Sequence, residues 1–168
     1  MKAVLETSGA TEIRVSQSDA ERLRFWAGRK AAFPAAGRIS PDYYCMDGTI
    51  PRKRLGEMLT AIYAMEKKYG LRCINVFHAG DGNLHPLILY DANVPGELER
   101  TEAFGAEILK LSVDLGGTIT GEHGVGYEKI NSMCDQFGSD ELRAFHAVKR
   151  AFDPEGLLNP EKGVPTLH

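Results

Sequence analysis

Cysteine is scarce. Cys45, Cys73 and Cys134 are three in 168 residues, far apart, odd in number and without a CxxC pair. That excludes a disulfide framework and a structural zinc knuckle, and it fits a reducing, cytoplasmic setting. No apolar run approaches the roughly 20 residues that cross a bilayer, and the start, Met1-Lys-Ala-Val-Leu-Glu-Thr-Ser8, lacks a secretory apolar core. Positive charge is not in surplus either. A net charge of −3 and the lack of any basic stripe argue against nucleic acid as a partner. Internal repeats and low-complexity segments are absent. So are GxGxxG and the P-loop Gly-Lys-Ser/Thr, which removes the usual nucleotide cradles. What remains is an ordinary globular composition, 43% hydrophobic and 26% charged, long enough for one full core and a smaller subdomain.

Hydrophobic spacing and breakers order the elements. Residues 1–10 read as the tail of a helix stopped at Gly9, and 11–16 as a short strand. Ser18 and Glu21 form a capping box that opens a helix over 19–33, ended by Pro34, with Leu23, Trp26 and Phe33 toward a core. By spacing alone, Arg29 and Lys30 are a solvated helix end favoured by the macrodipole. Residues 42–47 are extended, with a turn at Asp47-Gly48. Pro51 opens a helix that ends at Gly70, and Leu55, Met58, Leu59, Ile62, Met65 and Tyr69 form its buried face. A hairpin over 72–79 and 84–90 follows, with Pro86 at an edge or non-bonded position. A second long helix covers 95–115, with Leu98, Ile108, Leu109, Ser112 and Val113 on one stripe and Gly116-Gly117 as its stop. Residues 118–120 are β-prone. Helices over 129–137 and, after a Ser139 cap, 140–152 precede a turn-rich tail. The pattern is α+β: an antiparallel sheet flanked by helices.

Three of the five histidines fall in two short stretches, His78-Ala-Gly-Asp-Gly-Asn-Leu-His85 and Gly121-Glu-His-Gly124. Asp81-Gly82 signals a two-residue type I′ turn, which sets His78 directly opposite His85. Opposed residues hold their Cβ atoms about 4.5–5.5 Å apart, close enough for two imidazoles to share a metal or an anion. Glu122 completes a set of two imidazoles and one carboxylate, and His123 is a candidate general base. The bland alternative is a pair of satisfied core histidines and a glycine-rich turn. His146 reads as structural, His168 as a terminal residue, and Asp81 and Asn83 as turn formers able to orient a histidine.

These two stretches, extended to Gly117-Thr-Ile-Thr-Gly-Glu-His-Gly-Val-Gly126 and joined by Asp153-Pro-Glu-Gly-Leu-Leu-Asn-Pro-Glu-Lys162, resemble one family. It is the C-terminal domain of FAD-linked oxidases of the vanillyl-alcohol oxidase type, which includes D-lactate and D-2-hydroxyglutarate dehydrogenases. Trp26-Ala-Gly-Arg-Lys30 and Gly37-Arg-Ile-Ser-Pro-Asp-Tyr-Tyr44 look closest to the FAD-linked subunit of glycolate oxidase. The resemblance implies a ferredoxin-like substrate-binding cap over 1–120, incomplete at its N-terminus, and a C-terminal helical segment over 121–168 that returns to an FAD domain. It implies a flavin-dependent 2-hydroxy acid oxidoreductase, with His78, His85 and Glu122 holding a divalent metal such as zinc or manganese. His123 is then the base, Arg29 pairs with the substrate carboxylate, and Asn159 touches the flavin. An FAD domain and an iron–sulfur companion subunit are the implied partners, with a cytoplasmic location, peripheral to the inner membrane through those subunits. Cys45 stands where 2-hydroxyglutarate-type members carry lysine, which weakens the case for a dicarboxylate. Glycine-rich pyrophosphate loops are missing, so a truncated or separately encoded C-terminal portion is expected, unable to hold FAD alone. The competing expectations are a stand-alone module binding a small carboxylate or metal, and a metal-dependent hydrolase using His78, His85 and Glu122.

Overall fold

The computed structural model describes residues 2–165. They fall into two compact units divided between Ala35 and Ala36. The first holds α1 (Lys2–Thr7) and α2 (Asp19–Lys30), with α3 (Ala32–Ala36) running up to the division. Ser18 Oγ accepts the Glu21 amide at 3.2 Å, as a cap should. The Glu21 carboxylate reaches back to the Gln17 amide at 2.7 Å, one residue beyond the expected box. Pro34 does not end α2, which stops at Lys30; it sits in the first turn of α3, where no amide is needed. The expected strand over 11–16 is irregular backbone, because this unit offers no described strand for it to pair with. Leu23 and Trp26 are 67% and 56% exposed rather than in a core. Trp26 instead lines, with Phe25, Ile13, Val15 and Arg29, a cavity of about 700 Å³.

In the second unit the order is β1 (Asp42–Cys45), β2 (Gly48–Thr49), α4 (Leu55–Tyr69), β3 (Arg72–His78), β4 (Asn83–Tyr90), α5 (Glu97–Asp114), α6 (Met133–Gln136) and α7 (Ser139–Phe152). A turn of 3₁₀ helix, Arg52–Arg54, leads into α4. Strand β4 is central: β3 pairs with it antiparallel along one edge, β1 and β2 along the other. Thr118 bridges Thr49 antiparallel, outside the named strands. The order is that of a β-α-β-β-α-β unit whose last strand is reduced to one bridge. The fold is α+β, as the sequence pattern indicates.

Both long helices cover one face of the sheet. Met58 and Ile62 of α4 and Phe104 and Ile108 of α5 meet Leu84 and Ile88 of β4, with Met46 and Ile50, all of them 2% exposed or less. Fully burying such side chains stabilises the fold by about 1.5–3 kcal/mol each. Leu98, expected on this stripe, is exposed, because α5 begins at Glu97 and its first turn lies beyond the core. Helix α6 is shorter than the expected 129–137, since the chain there makes successive turns that bury Lys129. The cap of α7 is Gly138, whose amide donates to the Glu141 carboxylate at 2.7 Å; Ser139 is already helical.

Pro86 interrupts the far edge of β4. A residue in an antiparallel ladder sends its N–H and its C=O to the same neighbour. The Pro86 carbonyl accepts from the Met46 amide at 3.0 Å, but Pro86 has no amide to return. The partner strand breaks there into β1 and β2, and the released Met46-Asp47 pair leaves the ladder. Asp47-Gly48 is therefore a strand break, not the expected turn.

Candidate active site

The hairpin carries its histidines in a register two residues away from the expected one. His78 pairs with Asn83, and His85 pairs with Val76. The loop is four residues, 79–82, closed by the amides of Asp81 and Gly82 donating to the His78 carbonyl at 2.9 and 3.1 Å. A type I′ turn needs positive φ at both central residues, and Asp81 does not adopt it; only Gly82 does, at 80°. A β-carbon on Gly82 would also lie 2.2 Å from the Ile50 carbonyl oxygen. A slip of two preserves the sheet face, so His78 and His85 remain diagonal neighbours. Their ring centroids are 5.4 Å apart, edge to face. Cys45, opposite Leu87, points to that same face, away from α4 and α5.

The loop bearing Glu122 and His123 is organised by Asp47. Its fully buried carboxylate accepts the amides of Gly121 at 3.0 Å, Glu122 at 3.0 Å and His123 at 2.8 Å, and the Thr120 hydroxyl at 2.9 Å. Successive backbone N–H groups converging on one point make an anion-binding nest, and here the anion is a side chain of the same protein. Lys129, 3% exposed, brings its ammonium to 3.3 Å from the same carboxylate. Burial by itself would raise the Asp47 carboxyl. The donors from His123, Glu122, Thr120 and Gly121 outweigh it and hold the group well below the usual carboxylate range. The loop lies so close to β2 and the hairpin that a β-carbon on Gly121 would meet Thr49 Oγ1 at 2.6 Å and Asn83 Oδ1 at 2.7 Å.

So arranged, the loop faces the two hairpin histidines. Glu122 Oε1 is 3.4 Å from His78 Nε2, and Oε2 is 3.9 Å from His85 Nε2. One donor atom from each of these three residues lies within 4.8 Å of the others. The His123 ring stacks on His85 at 5.2 Å between centroids. His85 is 4% exposed, and burial pushes its imidazole below the ordinary value although Asp47 and Glu122 pull the other way. A histidine kept neutral keeps a lone pair for a metal ion. His78, Glu122 and His123 are open to solvent.

His78, His85, Glu122 and His123 are thus brought together. Arg29 belongs to the first unit, exposed and lining its cavity. Asn159 lies after α7 in a left-handed turn with φ 44°, in a segment where Asp153 accepts the amides of Leu157 and Leu158 at 2.9 Å. His146 contacts the Pro165 carbonyl, consistent with a structural role. His168 lies outside the described residues. Asn83 is buried at the start of β4, not in the turn. Sequence reasoning missed Asp47 and Lys129. The available signal was an acid between Met46 and Ile50 in a β-prone run, because a carboxylate buried there requires several donors.

Comparison with known proteins bears on this arrangement. A family model described as FAD linked oxidases, C-terminal domain, matches residues 1–163. The glycolate oxidase subunit GlcD of Escherichia coli strain K12 is 65% identical over 165 residues, covering 98% of this chain and 33% of that protein. GlcD of Bacillus subtilis is 36% identical, and the D-lactate dehydrogenase of Anaerostipes hadrus 32%, each over 96% of this chain and 34% of the relative. The chain spans about a third of the length of these relatives.

Proposed function

Since the chain belongs to the C-terminal domain family of FAD-linked oxidases, we propose that it forms the substrate-handling portion of a flavin-dependent 2-hydroxy acid dehydrogenase of the glycolate or D-lactate type. The observation that carries this is the convergence of the hairpin residues His78 and His85 with Glu122 and His123 of the loop held by Asp47, in a group open to solvent through all but the buried His85. His123 takes the proton from the substrate hydroxyl, its imidazole exposed to solvent on the loop. Arg29 pairs with the substrate carboxylate, for which a guanidinium fork is suited. His78, His85 and Glu122 fit a divalent ion, being two imidazoles and a carboxylate with close donor atoms and a buried neutral His85. Bound there, such an ion supplies Lewis acidity at the substrate oxygens. The flavin, when present, supplies the hydride acceptor. Asn159 is assigned to it, beside the exposed Leu157 and Leu158 that suit an apolar ring.

The partners assigned are an FAD-binding domain and an iron–sulfur companion subunit, in the cytoplasm. Among the described residues no helix is long and apolar enough to cross a membrane. The test combines this chain with the flavin-binding portion of a relative and follows flavin bleaching by glycolate and D-lactate. Bleaching is expected, and His123→Ala should slow it by about 10²–10⁴-fold. An unchanged rate removes the base assignment, and carboxylate binding without bleaching favours a module that only binds. For the ion, elemental analysis of wild type against His85→Ala is the readout, and an equally empty wild type removes the ligand set.

A further inference from the structure

His85 stands between two ligand sets. One is His78, His85 and Glu122. The other is Cys45, His85 and His123, whose donor atoms also lie within 4.8 Å of one another. We propose that Cys45, His85 and His123 form a second, overlapping metal site, selective for a soft divalent ion such as zinc or cadmium.

Three independent placements create it. Cys45 ends β1 opposite Leu87, so its side chain shares a sheet face with His85 two residues along β4. The ring of His123 is stacked against His85 at 5.2 Å with 24° between planes. The third is the backbone clamp of Asp47 on residues 121–123, which holds the His123 main chain in place and leaves its exposed side chain to rotate. Tetrahedral zinc, with Zn–S near 2.3 Å and Zn–N near 2.0–2.1 Å, wants its ligand atoms roughly 3.4–3.6 Å apart. Closing from 4.8 Å or less asks for movement of about 1 Å shared between the Cys45 and His123 side chains, and the His123 ring must turn out of its stack so that its in-plane lone pair faces the ion. A fourth position is left for water.

The two sets differ in chemistry. Thiolate and imidazole favour zinc and cadmium, whereas the carboxylate of Glu122 makes the first set hospitable to manganese. A neutral imidazole has a single lone pair, so His85 serves one ion at a time and the sets exclude each other. Without an ion, burial pushes the Cys45 thiol up to about 11, and it stays protonated and inert. Binding forms an S–metal bond and releases that one proton to solvent. The functional consequence rests on the reading of His123 as the base: an ion held here occupies its lone pair and arrests proton abstraction.

Zinc-edge X-ray absorption of the chain with one equivalent of zinc tests the site without turnover. One sulfur at about 2.3 Å is expected, kept in Cys134→Ser, which removes the exposed thiol, and lost in Cys45→Ser. His123→Ala should weaken zinc binding at least tenfold, and Glu122→Gln should weaken manganese but not zinc. Zinc should also release bound manganese, read by electron paramagnetic resonance. A shell of nitrogen and oxygen alone in the wild type, or a sulfur that survives Cys45→Ser, overturns the proposal. Sulfur ligation with substrate oxidation insensitive to zinc leaves the site standing and overturns the base assignment of His123 instead.

Discussion

Asp47 and His123 are 76 positions apart in sequence, and the His123 amide donates to the Asp47 carboxylate at 2.8 Å. Through that bond and its neighbours, a buried charge fixes the backbone under an exposed imidazole. The acid touches none of the proposed reacting atoms. It positions the residues that do.

Replacing Asp47 by Asn removes the anion from the nest and leaves the Lys129 ammonium buried without its counter-charge. Breaking a buried pair in this way costs about 3–5 kcal/mol. Urea unfolding of Asp47→Asn should show a loss of that order, and Lys129→Met in the same background should recover part of it. A loss under about 1 kcal/mol would mean the carboxylate does not hold the loop as described.

The same group predicts a pH dependence. Its folded value is depressed relative to about 3.9 in the unfolded chain, so the unfolded state binds the proton first. The stability it contributes is complete above about pH 5 and is lost as pH falls through and below 4. Asp153 is depressed too, first by its bond with Lys149, so the relevant quantity is the difference between wild type and Asp47→Asn. That difference should shrink on acidification; a constant difference contradicts the linkage.

His85 should titrate below the ordinary histidine value in the metal-free chain, because burial outweighs the pull of Asp47 and Glu122. The unfolded chain then takes the proton first, and stability falls as pH drops below about 6.5. Nitrogen-15 NMR of the imidazole gives the midpoint directly. Glu122→Gln removes one of the charges that favour protonation and should move the midpoint lower still. A rise would show that Glu122 does not favour the protonated ring, and a wild-type midpoint above the ordinary value would show that burial is not the leading influence.

The hairpin loop offers a sharper contrast. Gly82→Ala forces a side chain into positive φ against the Ile50 carbonyl and should destabilise by more than about 1 kcal/mol. Gly80→Ala meets nothing within 4 Å and should fall within about 0.5 kcal/mol of wild type. Asp81→Gly separates the two turn geometries: it would stabilise a type I′ turn and should not stabilise the four-residue loop. Chemical denaturation of the three variants decides.

Much of this was legible beforehand. The face of α4 carrying Met58, Ile62 and Met65, the hairpin strands, and the grouping of His78, His85 and Glu122 follow from periodicity and motif spacing. What misled were residues with two admissible roles. Asp81-Gly82 suits a type I′ turn or the end of a longer loop, and only the pairing of Gly82 with Ile50 across the sheet selects one. Pro34 can end a helix or begin one. Leu23 and Trp26 have helical spacing, but spacing does not say what lies opposite them.

The chain's local chemistry decided which groups are available: imidazoles in a pair two strands can share, a Glu-His step framed by glycines, and a proline that cannot complete a ladder. Their meeting was decided elsewhere. Asp47 is an unremarked acid until the break opposite Pro86 frees it from the sheet and a loop more than seventy residues later wraps its amides around it. Burial then makes that contact obligatory, because a carboxylate taken out of water must find donors, and only the folded chain can bring them.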